Sequence, residues 1–309
     1  GTSPIISQVR QRIDRIAPTN SRVLITGPSG SGKELFARLL HQKSARARGP
    51  FKAVNAASMV PERVEEVLFG SEDNTGNTIK TGLLEKAHFG TLYLDEVSDM
   101  PLETQGKLLR LLVEQRFTRL GGQDDVQVDV RLITSTSRDL EALTRLGTFR
   151  NDLFHRLNVM PLAAPPLTER REDIPALVEY FIGRLTASTG LPARKIGDDA
   201  MAALQAHDWP GNVRQLRNNV ERLLILATGD PTTPITLETL PPEVSVVRSN
   251  GSNDSNEKMI SMPLRDAREH FEREYLSTQI ERFGGNISRT ATFVGMERSA
   301  LHRKLKSLG

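Results

Sequence analysis

VLITGPSGSGKELFARLLHQ, residues 23–42, sets a short β-branched run, then a glycine-rich octapeptide, then a run with helical spacing. The octapeptide comprises Gly27, Pro28, Ser29, Gly30, Ser31, Gly32, Lys33 and Glu34. Its glycines let backbone N–H groups turn inward around phosphate oxygens, the following helix N-terminus adds positive partial charge, and Lys33 can reach the terminal phosphates of ATP. The position after the lysine usually carries a Ser or Thr hydroxyl for Mg²⁺, and Glu34 stands there instead. A plain glycine turn capping a helix has the same composition, but the strand before it and the helix after it favour the phosphate cradle.

Working outward, further apolar runs follow at FKAVN (51–55), TLYLDE (91–96) and VRLITSTS (130–137), separated by helix-like stretches. That alternation marks an α/β unit with a mostly parallel sheet. TLYLDE ends in two adjacent carboxylates: Asp95 is the candidate Mg²⁺ ligand, directly or through water, and Glu96 the candidate group that orients and polarises the attacking water. Alone the pattern is common; downstream of a phosphate loop it becomes a joint signal for ATP hydrolysis. After Pro165 and Pro166 only helical periodicity remains, as in Ile174, Leu177, Val178, Phe181, Ile182 and Leu185, and a second helix is expected over 213–226 after WPGN. SNGSNDSNEK, residues 249–258, reads as a linker. The expected domains are therefore an α/β nucleotide-binding unit over 1–165, a helical unit over 166–245, a linker over 246–262 and a C-terminal unit over 263–309.

The chain has 309 residues, 38% hydrophobic and 26% charged, with no apolar run near the roughly 18 residues of a membrane helix. With no Cys, disulfides and thiolate zinc sites are excluded, and a reducing cytoplasm is the natural setting. Gly1 reads as the start of a fragment and not as a natural beginning. The formal charge of +3 is unevenly spread: Arg289, Arg298, Arg303, Lys304 and Lys306 face a single Glu297 at the C-terminus.

That terminus, residues 284–309, has Asn286 as helix N-cap, a turn at Gly295 and a second helix with Leu301, Leu305 and Leu308 inward, which is a helix-turn-helix. Arg298, Ser299, His302 and Arg303, with Lys304 beside them, fall outside the apolar stripe and are the candidates for contact with double-stranded DNA in the major groove. A helical hairpin with a merely solvated basic face is the alternative. The preceding stretch, with Leu264, Ala267, Phe271 and Tyr275 or Leu276 at helical spacing, could pair with its twin in a dimer on a palindromic site. In GTFRNDLFHRLN (147–158), Arg150 and Arg156 are placed on an expected helix, either as surface ion-pair formers or as arginines that reach a neighbouring subunit's nucleotide. Arg214 in GNVRQL is a further candidate phosphate sensor.

Together GPSGSGKE, TLYLDEVSDMP, FRNDLFHRLNVMPL, PPLTERREDI, WPGNVRQLRNNVER and the terminal helix-turn-helix resemble the AAA+ bacterial enhancer-binding proteins of the NtrC family over almost the whole chain. The resemblance implies an α/β AAA+ P-loop ATPase core with a helical lid, plus an all-α Fis-type helix-turn-helix domain. It also implies a ring, possibly a hexamer, with ATP at subunit interfaces. By motif, Lys33 matches the Walker A lysine, Asp95 and Glu96 Walker B, Arg150 and Arg156 the trans-acting arginines, and Arg214 sensor II. Asn55 matches the asparagine that holds the Walker B glutamate idle, and Thr136 lies on the sensor I strand, where the next position, usually Asn, is Ser137.

One segment departs from the pattern. Family members that activate transcription carry GAFTGA after LFG to engage the sigma factor, whereas this chain has SEDNTGNTIKT, shorter, polar and without the aromatic. Read from sequence it is a polar loop between two helices. Within the family this combination resembles the NtrX branch, which implies a response regulator in nitrogen or redox signalling, with a receiver domain ahead of residue 1 and a cognate sensor histidine kinase. Two functions follow: a DNA-binding, ATP-binding regulator that does not remodel the sigma factor, or an ATP-hydrolysing sigma-54-dependent activator that engages RNA polymerase. An AAA+ clamp or helicase loader is disfavoured by the helix-turn-helix, and a GTPase by the lack of an NKxD-type element.

Overall fold

The structure, a computed structural model, describes residues 1–73, 77–227, 230, 232–245 and 264–308. The elements in chain order are α1 (Pro4–Ile16), β1 (Val23–Thr26), α2 (Lys33–Gln42), β2 (Phe51–Asn55), α3 (Pro61–Phe69), β3 (Gly70–Glu72), β4 (Thr78–Thr81), α4 (Leu83–Lys86), β5 (Thr91–Asp95) and α5 (Leu102–Glu114). Next come β6 (Arg116–Thr118), β7 (Asp125–Gln127), β8 (Arg131–Thr136), α6 (Leu140–Arg145), α7 (Asn151–Leu157) and β9 (Met160–Ala163). The remaining helices are α8 (Ile174–Thr189), α9 (Asp198–Ala206), α10 (Asn212–Leu226), α11 (Pro242–Ser245), α12 (Leu264–Arg282), α13 (Ile287–Phe293) and α14 (Arg298–Leu308).

Two compact units emerge: residues 4–169 with 211–214, and residues 1–3 and 170–210 with the described part of 215–309. The first is built on a five-stranded sheet in the order β2-β5-β8-β1-β9, every pairing parallel. Both faces are buried, as parallel sheets require. Side chains alternate along each strand, so Leu24, Leu92, Leu94 and Leu132 join the core that includes Leu68, Leu108 and Leu153. Val23, Ile25, Tyr93 and Ile133 join the opposite core with Ile6, Ile13, Phe36 and Leu40. Arg131 is fully buried, and its guanidinium donates to the carbonyls of Ile16, Ala17 and Ser21, which ties β8 to the end of α1.

Two antiparallel hairpins, β3–β4 and β6–β7, lie outside this sheet. The segment after LFG, expected as a plain loop, therefore forms a hairpin between α3 and α4 as far as it is described; Asn74–Gly76 lie outside the described residues. Its base is fastened to the second hairpin. Glu72 N donates to Leu120 O at 2.8 Å, Leu120 N to Gly70 O at 3.0 Å, and Arg119 pairs with both Glu72 and Glu85.

In the second unit Ile174, Val178, Ile182 and Leu185 form the inward stripe of α8, while Leu177 and Phe181 are half-buried. Trp209 is buried and donates from its indole to Leu204 O at 2.7 Å. At the C-terminus Leu276, Ala291 and Leu301 make a small core with Ile287, Val294, Met296 and Leu305. Asn286 caps α13 by accepting from Arg289 N, and Gly295 makes the turn at φ 69°. Phe271 and Tyr275 of α12 do not share the inward face with Leu276: both are exposed and their rings stack 6.0 Å apart. The expected linker over 246–262 and the side chains of Leu264, Ala267 and Leu308 lie outside the described residues.

Candidate nucleotide site and DNA-facing helix

The glycine loop leaves β1 at the C-terminal end of the sheet, where ligands of open α/β sheets bind. Gly27, Gly30 and Gly32 have φ of 152°, 75° and 100°, in the left-handed region that glycine adopts without strain. Close backbone approach also matters: a Cβ on Gly27 would lie 2.3 Å from Ala164 O and one on Gly30 2.2 Å from Gly211 O, while one on Gly32 would meet nothing within 4 Å. Lys33 is 6% exposed and donates from Nζ to Gly27 O at 2.9 Å while pairing with Glu96 Oε1 at 3.0 Å. Glu34 instead pairs with Arg38 on the surface of α2.

The two carboxylates at the end of β5 have different holders. Asp95 Oδ2 accepts from Asn55 Nδ2 at 2.9 Å, and its Oδ1 accepts from Tyr93 at 2.9 Å and from Ser135 at 2.5 Å. Burial pushes the Tyr93 phenol well above its ordinary range, and the neighbouring Asp95 charge adds to the rise against the opposing Ser135 bond, so it stays a donor at this carboxylate. Glu96 lies one residue on, at φ 51° and ψ 53°. Its Oε2 accepts from both the backbone N and Oγ of Ser137, each at 2.8 Å.

Asn55 bonds Asp95 and not Glu96 in this structure. Asn55 and Asp95 are register partners in neighbouring parallel strands, so their side chains share a face and meet. Glu96 turns away in its left-handed conformation and meets Ser137 at the end of β8. The Thr136 hydroxyl bonds the backbone of Arg138, while its carbonyl accepts from Gly27 N at 3.2 Å and braces the glycine loop.

At the start of α10, Arg214 Nη1 donates to Ser29 Oγ at 3.1 Å. Asn212, not singled out from sequence, donates to Ser29 O at 3.0 Å and accepts from Leu167 N at 2.8 Å. A cleft of about 560 Å³ adjoins the loop, lined by Ile5, Val9, Arg12, Thr26, Gly27 and Pro28. Only its proximity to the loop identifies the α1 side chains; their sequence carries no motif.

Arg150, expected on a helix, stands instead at the N-cap of α7 with φ −74° and ψ 130°, and its exposed side chain pairs with Asp152 at 2.7 Å. Arg156 lies within α7 and is exposed. Partial burial, and then the Arg156 charge, hold Arg22 below its ordinary value. On α14, Arg298, Ser299, His302 and Arg303 are exposed together, whereas Lys304 folds back to pair with Glu272 of α12 at 2.7 Å. Lys304 thus ties the helix-turn-helix to α12 instead of joining the open basic face.

A parallel sheet with a glycine cradle, a paired-carboxylate strand end, a helical lid and a Fis-type helix-turn-helix define an AAA+ nucleotide-binding regulator. The sigma-54 interaction domain matches residues 1–163, the AAA+ ATPase lid domain residues 168–257, and the Fis family of bacterial regulatory proteins residues 267–308. The chain belongs to the NtrX/NtrC family of regulators with a sigma-54 interaction domain. It is 61% identical over 310 residues to the nitrogen assimilation regulatory protein NtrX of Azorhizobium caulinodans, covering all of this chain and 68% of that protein. Identity to a putative NtrX-like response regulator of Rickettsia felis is 45%, covering 66% of it, and to NtrC of Escherichia coli 40%, covering 70%. Crystal structures of NtrX from Brucella abortus with ADP and with ATP each align at TM-score 0.83 and 60% identity over the whole chain and 69% of theirs. The chain thus spans about two thirds of the length of these relatives. No described helix is long and apolar enough to cross a membrane.

Proposed function

We propose that this chain is the ATP-binding, DNA-binding part of a two-component transcriptional regulator, and that it acts at promoters without remodelling the sigma-54 factor. The hairpin carries this reading: from Asp73 to Asn77 the segment is polar or glycine throughout, with no aromatic or aliphatic side chain to seat on a partner. We assign residues 1–165 to the nucleotide-binding unit, 166–245 to the lid and 263–309 to the DNA-binding unit, in a cytoplasmic protein.

Gly27–Gly32 would cradle the phosphates of ATP, with Lys33 on the terminal ones, Arg214 beside Ser29, and the base in the cleft against α1. That the neighbouring NtrX structures hold ADP and ATP favours this use of the loop. For Mg²⁺ the donor set fits through Asp95, whose two oxygens are oriented by three protein donors and keep lone pairs for a bound ion or its waters. When present the ion would neutralise phosphate charge; Glu34 offers a carboxylate, committed to Arg38, where a hydroxyl is usual. Glu96 would take the proton of the attacking water. Arg150 and Arg156, both on the surface, would reach the nucleotide of an adjoining copy in a ring. Arg298, Ser299, His302 and Arg303 would read the major groove as part of a dimer on a palindromic site. The kinase would act through a receiver domain outside this chain.

The alternative is an ATP-hydrolysing sigma-54 activator that works on RNA polymerase, favoured by the engaged Lys33, Asp95 and Glu96. Open-complex formation at a sigma-54-dependent promoter separates the two, with purified protein, holoenzyme, ATP and an established activator as control. Promoter opening by this chain would refute the first reading. ATP and DNA binding without opening would support it.

A further inference from the structure

Two clefts flank the root of the glycine loop, one on each face of the sheet. Leu24 of β1 packs into the core with Leu140 and Phe154, whereas Ile25 packs into the opposite core with Ile6 and Ile13. The cleft against α1 opens on the Ile25 face. A second cleft, of about 360 Å³, opens on the Leu24 face, and its lining includes Leu24, Ser137, Asp139, Glu141, Phe154 and Asn158. Thr26 and Gly27 border both clefts, but Lys33, Asp95 and Glu96 do not line the second. We propose that this second cleft is a binding site for a compact organic cation, an amine, amidine or guanidine on a short apolar body, whose occupancy is coupled to the nucleotide loop. The coupling rests on the reading of that loop as the cradle for ATP; the binding site does not.

The class of ligand follows from the walls. Leu24 and Leu140 are each 3% exposed and Phe154 8%, so the apolar wall is backed by the core and does not fold away. At the rim the groups left over are acceptors. Asp139 is already the N-cap of α6: its Oδ1 accepts from Glu141 N at 2.9 Å and Ala142 N at 3.2 Å, which satisfies donors that would otherwise attract an anion. Its Oδ2 keeps lone pairs for a ligand. Glu141 is exposed, and among the described residues no cation pairs with its carboxylate. Arg138, the basic residue of the lining, is turned to Asp99 at 3.1 Å. An ammonium or amidinium at Glu141 gains a charge-assisted bond while its body covers the wall of Leu24 and Phe154. A bare metal ion gains neither the wall nor enough ligands, since among the described residues no three His, Asp or Glu side chains gather to hold one. The volume lies near the lower end of the range for small-molecule sites, about 300–1,000 Å³, which limits the body to a single ring or a short chain.

The same cleft touches the stem of the loop. Gly27 N donates to Thr136 O at 3.2 Å, and Thr136 and Ser137 continue the cleft wall, where Ser137 Oγ also bonds Glu96 at 2.8 Å. A ligand seated there stiffens the strand end from which the loop departs, so nucleotide and cation change each other's affinity by the same factor.

Benzamidine is the probe, with benzamide as its neutral and benzoate as its anionic counterpart, titrated into the whole chain and followed by amide chemical shifts. Benzamidine should shift the amides of residues 136–142 and 154–158 and leave those of α1 in place. It should bind about tenfold tighter than benzamide, the scale of one charge-assisted hydrogen bond. Glu141→Gln, on the surface of α6, should remove that preference without altering ATP affinity in the absence of probe. ATP and benzamidine titrated against each other should show a reciprocal change of about fivefold or more, lost in Glu141→Gln. The binding site is overturned if benzamide or benzoate binds as tightly as benzamidine, if the shifts fall elsewhere, or if Glu141→Gln leaves the preference intact. Benzamidine bound in the cleft with unchanged ATP affinity overturns the coupling. Failure of the chain to bind ATP at all, with benzamidine still shifting residues 136–142, would sink the cradle reading and leave the cation site standing.

Discussion

Replacing Arg119 by Met should unfasten the base of the β3–β4 hairpin. The guanidinium makes a two-pronged contact with Glu85, Nε to Oε1 at 2.9 Å and Nη2 to Oε2 at 2.6 Å, and pairs with Glu72 through Nη1. These side chains are only 16%, 18% and 4% exposed for Arg119, Glu85 and Glu72, unlike the surface pair of Arg110 and Glu114 at 53% and 42%. An exposed pair of that kind contributes about 0–1 kcal/mol, but removing the cation here strands two largely buried carboxylates, a loss of about 3 kcal/mol, the low end for breaking a buried pair. Urea unfolding at neutral pH should show that loss. Amide exchange at Glu72 and Leu120, whose N–H groups join the hairpins, should accelerate by about a hundredfold or more. The Arg119 hydrogen bond holds the Glu85 carboxyl below its ordinary value of 4.5. The depressed pKa means that its contribution is complete above 4.5 and fades as pH falls through the folded value, so the variant should show a shallower acid limb than the wild type. Adding Glu72→Gln and Glu85→Gln to Arg119→Met should recover much of the stability. A loss under about 1 kcal/mol with unchanged exchange at both amides would refute the argument, since that is the scale of an exposed pair and not of two largely buried carboxylates left unpaired.

Lys33→Ala should abolish nucleotide binding in a fluorescence titration, and retained affinity would count against the cradle. Gly30→Ala, at φ 75° with its Cβ 2.2 Å from a backbone carbonyl, should weaken nucleotide binding sharply by displacing the loop or the start of α10; wild-type affinity would show that the contact relaxes freely. Arg298→Ala should cost roughly 1–3 kcal/mol of specific DNA binding, and an unaltered footprint would reject α14 as the recognition helix. Lys304→Ala should instead weaken the packing of α14 on α12, seen as earlier melting of that segment, because its ammonium pairs with Glu272.

The parts of the fold legible in the sequence are those encoded within a few residues: the glycine loop after VLIT, the carboxylates ending TLYLD, and the helix-turn-helix around Gly295. What sequence alone missed depends on pairs far apart in the chain. Ser137 and Glu96 are 41 residues apart, and Arg119 and Glu72 47. GSE is too short and polar to mark a strand, and TIKT, though β-branched, is four residues long and pairs with a β3 that is itself fastened to a second hairpin. β9 was hidden by Pro161, which an edge strand paired only with β1 accommodates. Arg150 was misplaced by one residue, enough to move it from a helix to its cap.

The hairpin then divides into a base and a tip with different physics. The base is costly to disturb: Gly70 at φ 80° and Gly82 admit close backbone approach, where a Cβ would fall 2.4 Å from Lys80 O and Leu68 O respectively, and the Arg119 contacts close the remaining space. Adhesion at the tip is another matter. One buried aromatic ring covers about 150–250 Å², roughly 4–6 kcal/mol at 25 cal/mol per Å², whereas each net hydrogen bond from an Asn or Thr contributes about 1 kcal/mol. Between Asp73 and Asn77 only the second kind of contact is on offer. Two residues on, Ile79 of β4 is exposed, so the described part of the hairpin offers an apolar partner one aliphatic side chain and no aromatic ring.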